Sequence, residues 1–183
     1  MSIRRVVSLG VVTLAAAVVA SVGLTAGDQQ HAMDASTSEG LVKLVRNATR
    51  QFQDFHAATD AQYGPFLGCV SGPQEGAMGI HFVNMGFVGD GEIDVNHPEA
   101  LIYEPKNGQL RLVGVEYLVT VEDWQKNHPE PGAPVLEGQV FHFNDSPNRF
   151  GLPPFYELHV WAWQNNPHGA FVDWNTLVSC EGR

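Results

Sequence analysis

The apolar positions of this chain change their period twice. Residues 6–24 are almost continuously apolar, residues 36–58 repeat at helical spacing, and from Cys69 onward short apolar runs are broken by Gly, Pro and Asn. In the second segment Leu41, Leu44, Val45, Ala48, Phe52 and Phe55 share one side of a helical wheel, with Lys43, Arg46, Arg50 and Asp54 elsewhere around it. Ser36 and Glu39 have capping-box spacing, and Gly64-Pro65 ends any continuation. The pattern predicts one amphipathic helix from Ser36 to about Ala58 whose apolar side covers a sheet. Asn47-Ala48-Thr49 has the form of a glycosylation acceptor, but a mid-helix position argues against its use.

The later runs predict strands near 77–83, 100–104, 110–119, 138–143 and 155–164, with a short one near 170–173. Asn107-Gly108 supplies the two residues of a type I′ hairpin turn. Lys106 then faces Gln109, Pro105 faces Leu110, Glu104 faces Arg111 and Tyr103 faces Leu112. Residues 84–98, 121–137 and 144–154 are polar, proline-containing loops of the length that binding loops often have. One helix, with strands joined by tight turns, implies an α+β, mainly β fold: a curled antiparallel sheet or small barrel with the N-terminal helix packed on it.

The first segment belongs to no fold. Arg4 and Arg5, the apolar run and small residues at Ala20 and Ala26 make residues 1–26 a signal peptide, cleaved after Ala26 or after Ala20. An uncleaved anchor is the rival, since the run is nearly long enough to span a bilayer, but alanine and glycine dilute it. Residues 27–35 then form a flexible linker and 36–183 a single globular domain, which places the protein outside the cytoplasm, secreted or periplasmic. Without the two leader arginines the chain has 8 basic against 20 acidic residues, a net charge of −12. That balance excludes nucleic acid and anionic membrane as partners, because both need a basic footprint. Two cysteines remain, Cys69 and Cys180, with no histidine close by in sequence to activate a thiol. In an oxidising compartment they predict a disulfide, which closes most of the domain into a loop and contributes roughly 4–5 kcal/mol in the chain-entropy model.

Candidate chemistry comes from ionisable groups inside strand patterns, since burying one costs several kcal/mol unless it is paired or metal-bound. Glu116 alternates with Leu110, Leu112, Gly114 and Leu118, and Leu101 and Tyr103 join that face across the hairpin. The opposite face, Val113, Val115, Tyr117 and Val119, is apolar too, so the strand reads as central and Glu116 needs a partner. An edge position, where the carboxylate reaches water, is the alternative. His81 sits between Ile80 and Phe82, and His159 shares a face with Glu157, Trp161 and Trp163. Together His81, Glu116 and His159 make a set suited to zinc, iron(II) or manganese(II) with an open position. Glu104 is either a fourth ligand or merely the cross-strand partner of Arg111. Tyr103, Trp161 and Trp163 are expected to line the pocket for a small organic ligand. His142 has the opposite phase to its apolar neighbours and reads as exposed. Asp90, Glu92, Asp94 and Asn96 imitate a calcium loop, but Val95 and Leu101 stand where glycine and glutamate are required. A cupin is disfavoured by the lack of His-x-His.

Four segments carry a resemblance. Gly79-Ile80-His81-Phe82-Val83-Asn84, Pro98-Glu99-Ala100-Leu101-Ile102-Tyr103-Glu104-Pro105, Leu112-Val113-Gly114-Val115-Glu116-Tyr117 and Tyr156-Glu157-Leu158-His159-Val160-Trp161 resemble a family of exported bacterial proteins of unknown function. The likeness continues through Asn166-Pro167 to Ser179-Cys180 and covers about residues 65–181. It implies a shared fold there and no activity. The leading expectation is therefore an exported small-molecule-binding protein with a divalent metal site, and, if an enzyme, one for metal-assisted hydrolysis, isomerisation or oxygenation. A metal-free binding module of lipocalin type, or a purely structural secreted protein, are the alternatives.

Overall fold

The computed structural model describes residues 26–182. The expected signal peptide thus lies outside the described residues except for Ala26. Helix α1, Ala26–Thr49, leads into a 3-10 turn, Arg50–Gln53, and a short helix α2, Phe55–Asp60. Residues 27–35, expected as linker, continue α1; the run is rich in Ala, Gln and Met, all strong helix formers. The single helix expected to reach Ala58 is broken instead. Asp54 leaves the helical region, its carboxylate accepts from the His56 amide, and α2 starts in a new direction. Among the described residues no helix is long and apolar enough to cross a membrane.

Eight strands follow: β1 Gly64–Gly72, β2 Gly76–Val83, β3 Ala100–Lys106, β4 Gln109–Thr120, β5 Val135–Leu136, β6 Gln139–Val140, β7 His142–Asn144 and β8 Phe155–Val160. Six of them form one antiparallel sheet, ordered β1-β2-β3-β4-β8-β7 and curled into a half-barrel, while β5 and β6 pair separately. Sequence reading missed β1, whose Gly64-Pro65 start and left-handed Leu67 (φ 59°) suit only an edge strand. It also missed the short helices α3, Met85–Val88, and α4, Val121–Asn127, which lie in segments expected as loops. No strand forms at 170–173, and β8 ends at Val160, short of the expected 164.

The β3–β4 hairpin has the expected register: Lys106 opposite Gln109, Glu104 opposite Arg111 and Tyr103 opposite Leu112. Beyond it, Ile102 pairs with Gly114, so Val113 is an extra residue and the strand is bulged there. The bulge reverses the alternation. Leu112 now shares a face with Val115 and Tyr117, and Tyr103 with Leu101, rather than with Glu116. That face is the main core: Leu41, Val45, Phe52 and Ala58 of the helical segment lie over Phe82, Tyr103, Val115, Tyr117 and Leu158. Arg46 fastens the helix to the end of β8 through the Ala162 carbonyl.

The other face is covered by loops rather than helices. Asn175 exchanges backbone hydrogen bonds with Ala77 of β2, and Trp161 binds the same loop twice, its amide to Ala170 O (2.9 Å) and its indole to Val172 O (2.6 Å). Arg149 stands 5.4 Å over the Trp174 ring and links this loop to the one at 145–154. The Cys69–Cys180 disulfide forms as expected and ties β1 to the C-terminal segment across 111 residues.

Candidate metal centre

The loop-covered face gathers the polar residues. Directly paired residues in antiparallel strands share a face, and the pairs Ala100–Glu116 and Glu116–His159 set these two side chains in one row. His81 pairs with Ile102, and Ile102 with Gly114, so it lies on the same face one step along the strands. Gly114 is what allows the close fit here: a Cβ at this position would meet the Val160 carbonyl at 2.8 Å and the Trp161 ring at 3.4 Å.

Three side chains from three strands converge as expected. His81 Nε2 is 3.3 Å from Glu116 Oε2 and 3.4 Å from His159 Nε2. Two ligands held at about 2.1 Å from a tetrahedral ion stand roughly 3.4 Å apart, which both distances match, and all three ligand atoms lie within 4.8 Å of one another. Glu116 is on a central strand, flanked by β3 and β8, and is not an edge residue. All three side chains are buried, with His159 only 1 % exposed.

Burial sets the ionisation. It pushes His81 down to about 4 and His159 well below its ordinary value. Both imidazoles are therefore neutral at pH 7, the form that ligates metals. Burial, and then the neighbouring Glu157, push Glu116 well above the carboxylate range, and burial raises Glu157 as well. Both carboxyls are thereby held toward the protonated form. A divalent ion held here would supply positive charge in place of a proton.

Above the cluster lies a cavity of about 70 Å³ with a polar floor of His81, Glu116, His159 and Glu99 and apolar walls including Phe66, Val70, Phe150 and Leu152. Leu67 and Met85 at its margin are more than half exposed. Glu99 was not expected here. It is 1 % exposed, accepts from the Leu118 amide at 3.0 Å, and is raised to about 8, chiefly by burial.

The other expected site residues go elsewhere. Glu104 is no fourth ligand: Arg111 binds its Oε2 at 2.6 Å and the Ser179 amide its Oε1 at 3.1 Å, so both oxygens serve the scaffold. Tyr103 is turned to the helix side by the Val113 bulge, where its hydroxyl donates to Phe52 O and its ring meets Phe55 and Phe82. Trp163 also lies on the helix side and donates to Thr49, because the alternation stops where β8 ends. Trp161 stays on the polar face but outside the cavity lining, nearly parallel to the His159 ring at 6.2 Å. Two further carboxylates gather beside His159: Glu157, paired opposite His142 across β7–β8, and Asp173, whose Oδ1 is 3.7 Å from His159 Nδ1. Glu157 was legible as a neighbour of His159 on one strand face. Asp173, in an irregular loop, left no periodic signal. Comparison with protein-family models, curated proteins and solved structures returns no match.

Proposed function

We propose that the protein is an exported small-ligand-binding protein built around a divalent metal ion held by His81, Glu116 and His159. The observation that carries this reading is the convergence of two neutral imidazoles and a carboxyl at the floor of a cavity, with His81 Nε2 3.3 Å from Glu116 Oε2 and 3.4 Å from His159 Nε2 and all three ligand atoms within 4.8 Å of one another. Burying such a cluster in an apolar sheet costs free energy, which a bound cation would offset. Three protein ligands leave a coordination position open toward the cavity, where a ligand oxygen can be polarised or a water activated. Two imidazoles and one carboxylate suit zinc, iron(II) or manganese(II). The cavity volume of about 70 Å³ takes a small ligand, and its apolar walls and margin favour one with a hydrocarbon part.

Export is part of the proposal. It is supported by the disulfide, which persists in oxidising compartments, and by the leader-like composition of residues 1–26.

The test is metal analysis of tag-free protein alongside His81→Ala and Glu116→Gln. The expected result is a bound transition metal in the parent, with affinity reduced about 100-fold or more in each variant, since even residues behind the ligands commonly account for 10–100-fold. Parent protein that neither carries nor takes up zinc, iron(II) or manganese(II), while binding hydrophobic probes in the cavity, would refute it in favour of a metal-free pocket.

A further inference from the structure

His159 has a second nitrogen, and nothing in the cavity uses it. Nδ1 is fully buried yet has no hydrogen-bond partner, and neither has Asp173 Oδ1, which faces it at 3.7 Å. Neither tautomer of the ring repairs this. If Nδ1 carries the proton, the acceptor is beyond hydrogen-bonding reach; if Nε2 carries it, two lone pairs oppose each other. A buried polar atom left in this state is destabilising. His142 Nδ1 stands 3.5 Å from the same Asp173 oxygen, on the side away from the cavity. Glu157, directly opposite His142 in the sheet, completes the group and is held by Asn144 at 2.7 Å.

We propose that Glu157, Asp173, His142 and Nδ1 of His159 form a second divalent-cation site, so that His159 bridges two ions. Glu157, His159 and Asp173 each offer a ligand atom within 4.8 Å of the others, and His142, 3.5 Å from Asp173 Oδ1 and half-exposed, would move in to complete the set. The donor set, two imidazoles and two carboxylates, suits zinc or copper(II). An ion placed between Nδ1 and Oδ1 satisfies both orphaned atoms at once, which no protein group does. With both ions bound, the bridging ring releases its remaining N–H proton to solvent and is held as imidazolate. Access comes from outside: Asp173 and His142 line a surface depression with His168 and Trp174, while the first site opens on the cavity. Trp161 is the positioning residue, because its indole holds the Val172 carbonyl and so sets Asp173 beside His159.

This inference rests on the metal reading of the first site. The experiment is calorimetric titration of metal-free, tag-free protein with Zn²⁺, repeated with Co²⁺ and read by visible absorption, for the parent and for His142→Ala, Asp173→Asn and His81→Ala. Two equivalents are expected in the parent and one in His142→Ala and Asp173→Asn, the remaining one with the absorption of the inner site. His81→Ala is expected to lose the other equivalent. His142 is half-exposed, so its replacement leaves the fold intact, and circular dichroism checks that for all three. A parent that binds one equivalent, abolished by His81→Ala and untouched by His142→Ala, overturns the second site and leaves the first. One equivalent merely weakened by Asp173→Asn also overturns it, and makes Asp173 an orienting acceptor for His159. No binding at all overturns both.

Discussion

Replacing Glu99 by glutamine isolates one burial penalty of the cavity floor. The carboxyl is 1 % exposed, has the Leu118 amide as its hydrogen-bond donor, and feels Asp90 and Asp94, both of the wrong sign. Burial therefore moves it from 4.5 to about 8. The folded protein holds the proton more tightly than the unfolded chain. Glu99's contribution to stability is thus fully present below about pH 4.5 and is lost as the pH rises to about 8. A displacement of that size corresponds to about 5 kcal/mol, and relaxation around the ionised group reduces it to about 3. Glutamine keeps an oxygen for the Leu118 amide and never ionises. Glu99→Gln is expected to match the parent at pH 4 and to exceed it by about 3 kcal/mol at pH 9, a rise in Tm of roughly 6–12 °C for a domain of this size. Thermal melts of both proteins across that pH range, with chelator present, measure the difference. A difference that does not change with pH would refute the burial argument.

Two further outcomes test the scaffold. Arg111→Ala leaves Glu104 buried with only the Ser179 amide as partner; because the guanidinium is 42 % exposed, the expected loss is about 1–2 kcal/mol rather than the larger figure for a fully buried pair, measured by urea unfolding, with metal content unchanged. Gly114→Ala drives a Cβ against the Val160 carbonyl and the Trp161 ring, so a loss of about 1–3 kcal/mol is expected together with altered tryptophan fluorescence; unaltered stability would mean that the sheet tolerates a wider gap there.

What could be read from the sequence followed from local periodicity. The hairpin at Asn107-Gly108 fixed its own register as far as Tyr103, because turn chemistry decides the first few pairs. His81, Glu116 and His159 were found because each interrupts an apolar run. The failures share one cause, the extension of alternation past a point where the backbone breaks it. A single extra residue at Val113 sends Tyr103 and Glu116 to opposite faces, and the end of β8 at Val160 does the same for Trp163. Asp173 is placed by indole and amide bonds from Trp161, a tertiary contact with no signature in residue order.

The same bulge explains how one strand serves two incompatible environments. Without it, Leu112 and Tyr103 would fall on the face of Glu116, and the helix side would lose two of its large apolar residues. With it, β4 turns Leu110, Leu112, Val115 and Tyr117 to the core and leaves Gly114, Glu116 and Leu118 to the cavity side. The polar row is then confined to one face of a sheet that is otherwise well packed, so its desolvation cost is borne by a complete core on the other side and by the Cys69–Cys180 crosslink. Removing Val113 would shift every residue of β4 on one side of the deletion to the opposite face. The core would then receive a carboxylate, which is why the bulge and the site belong to the same structural solution.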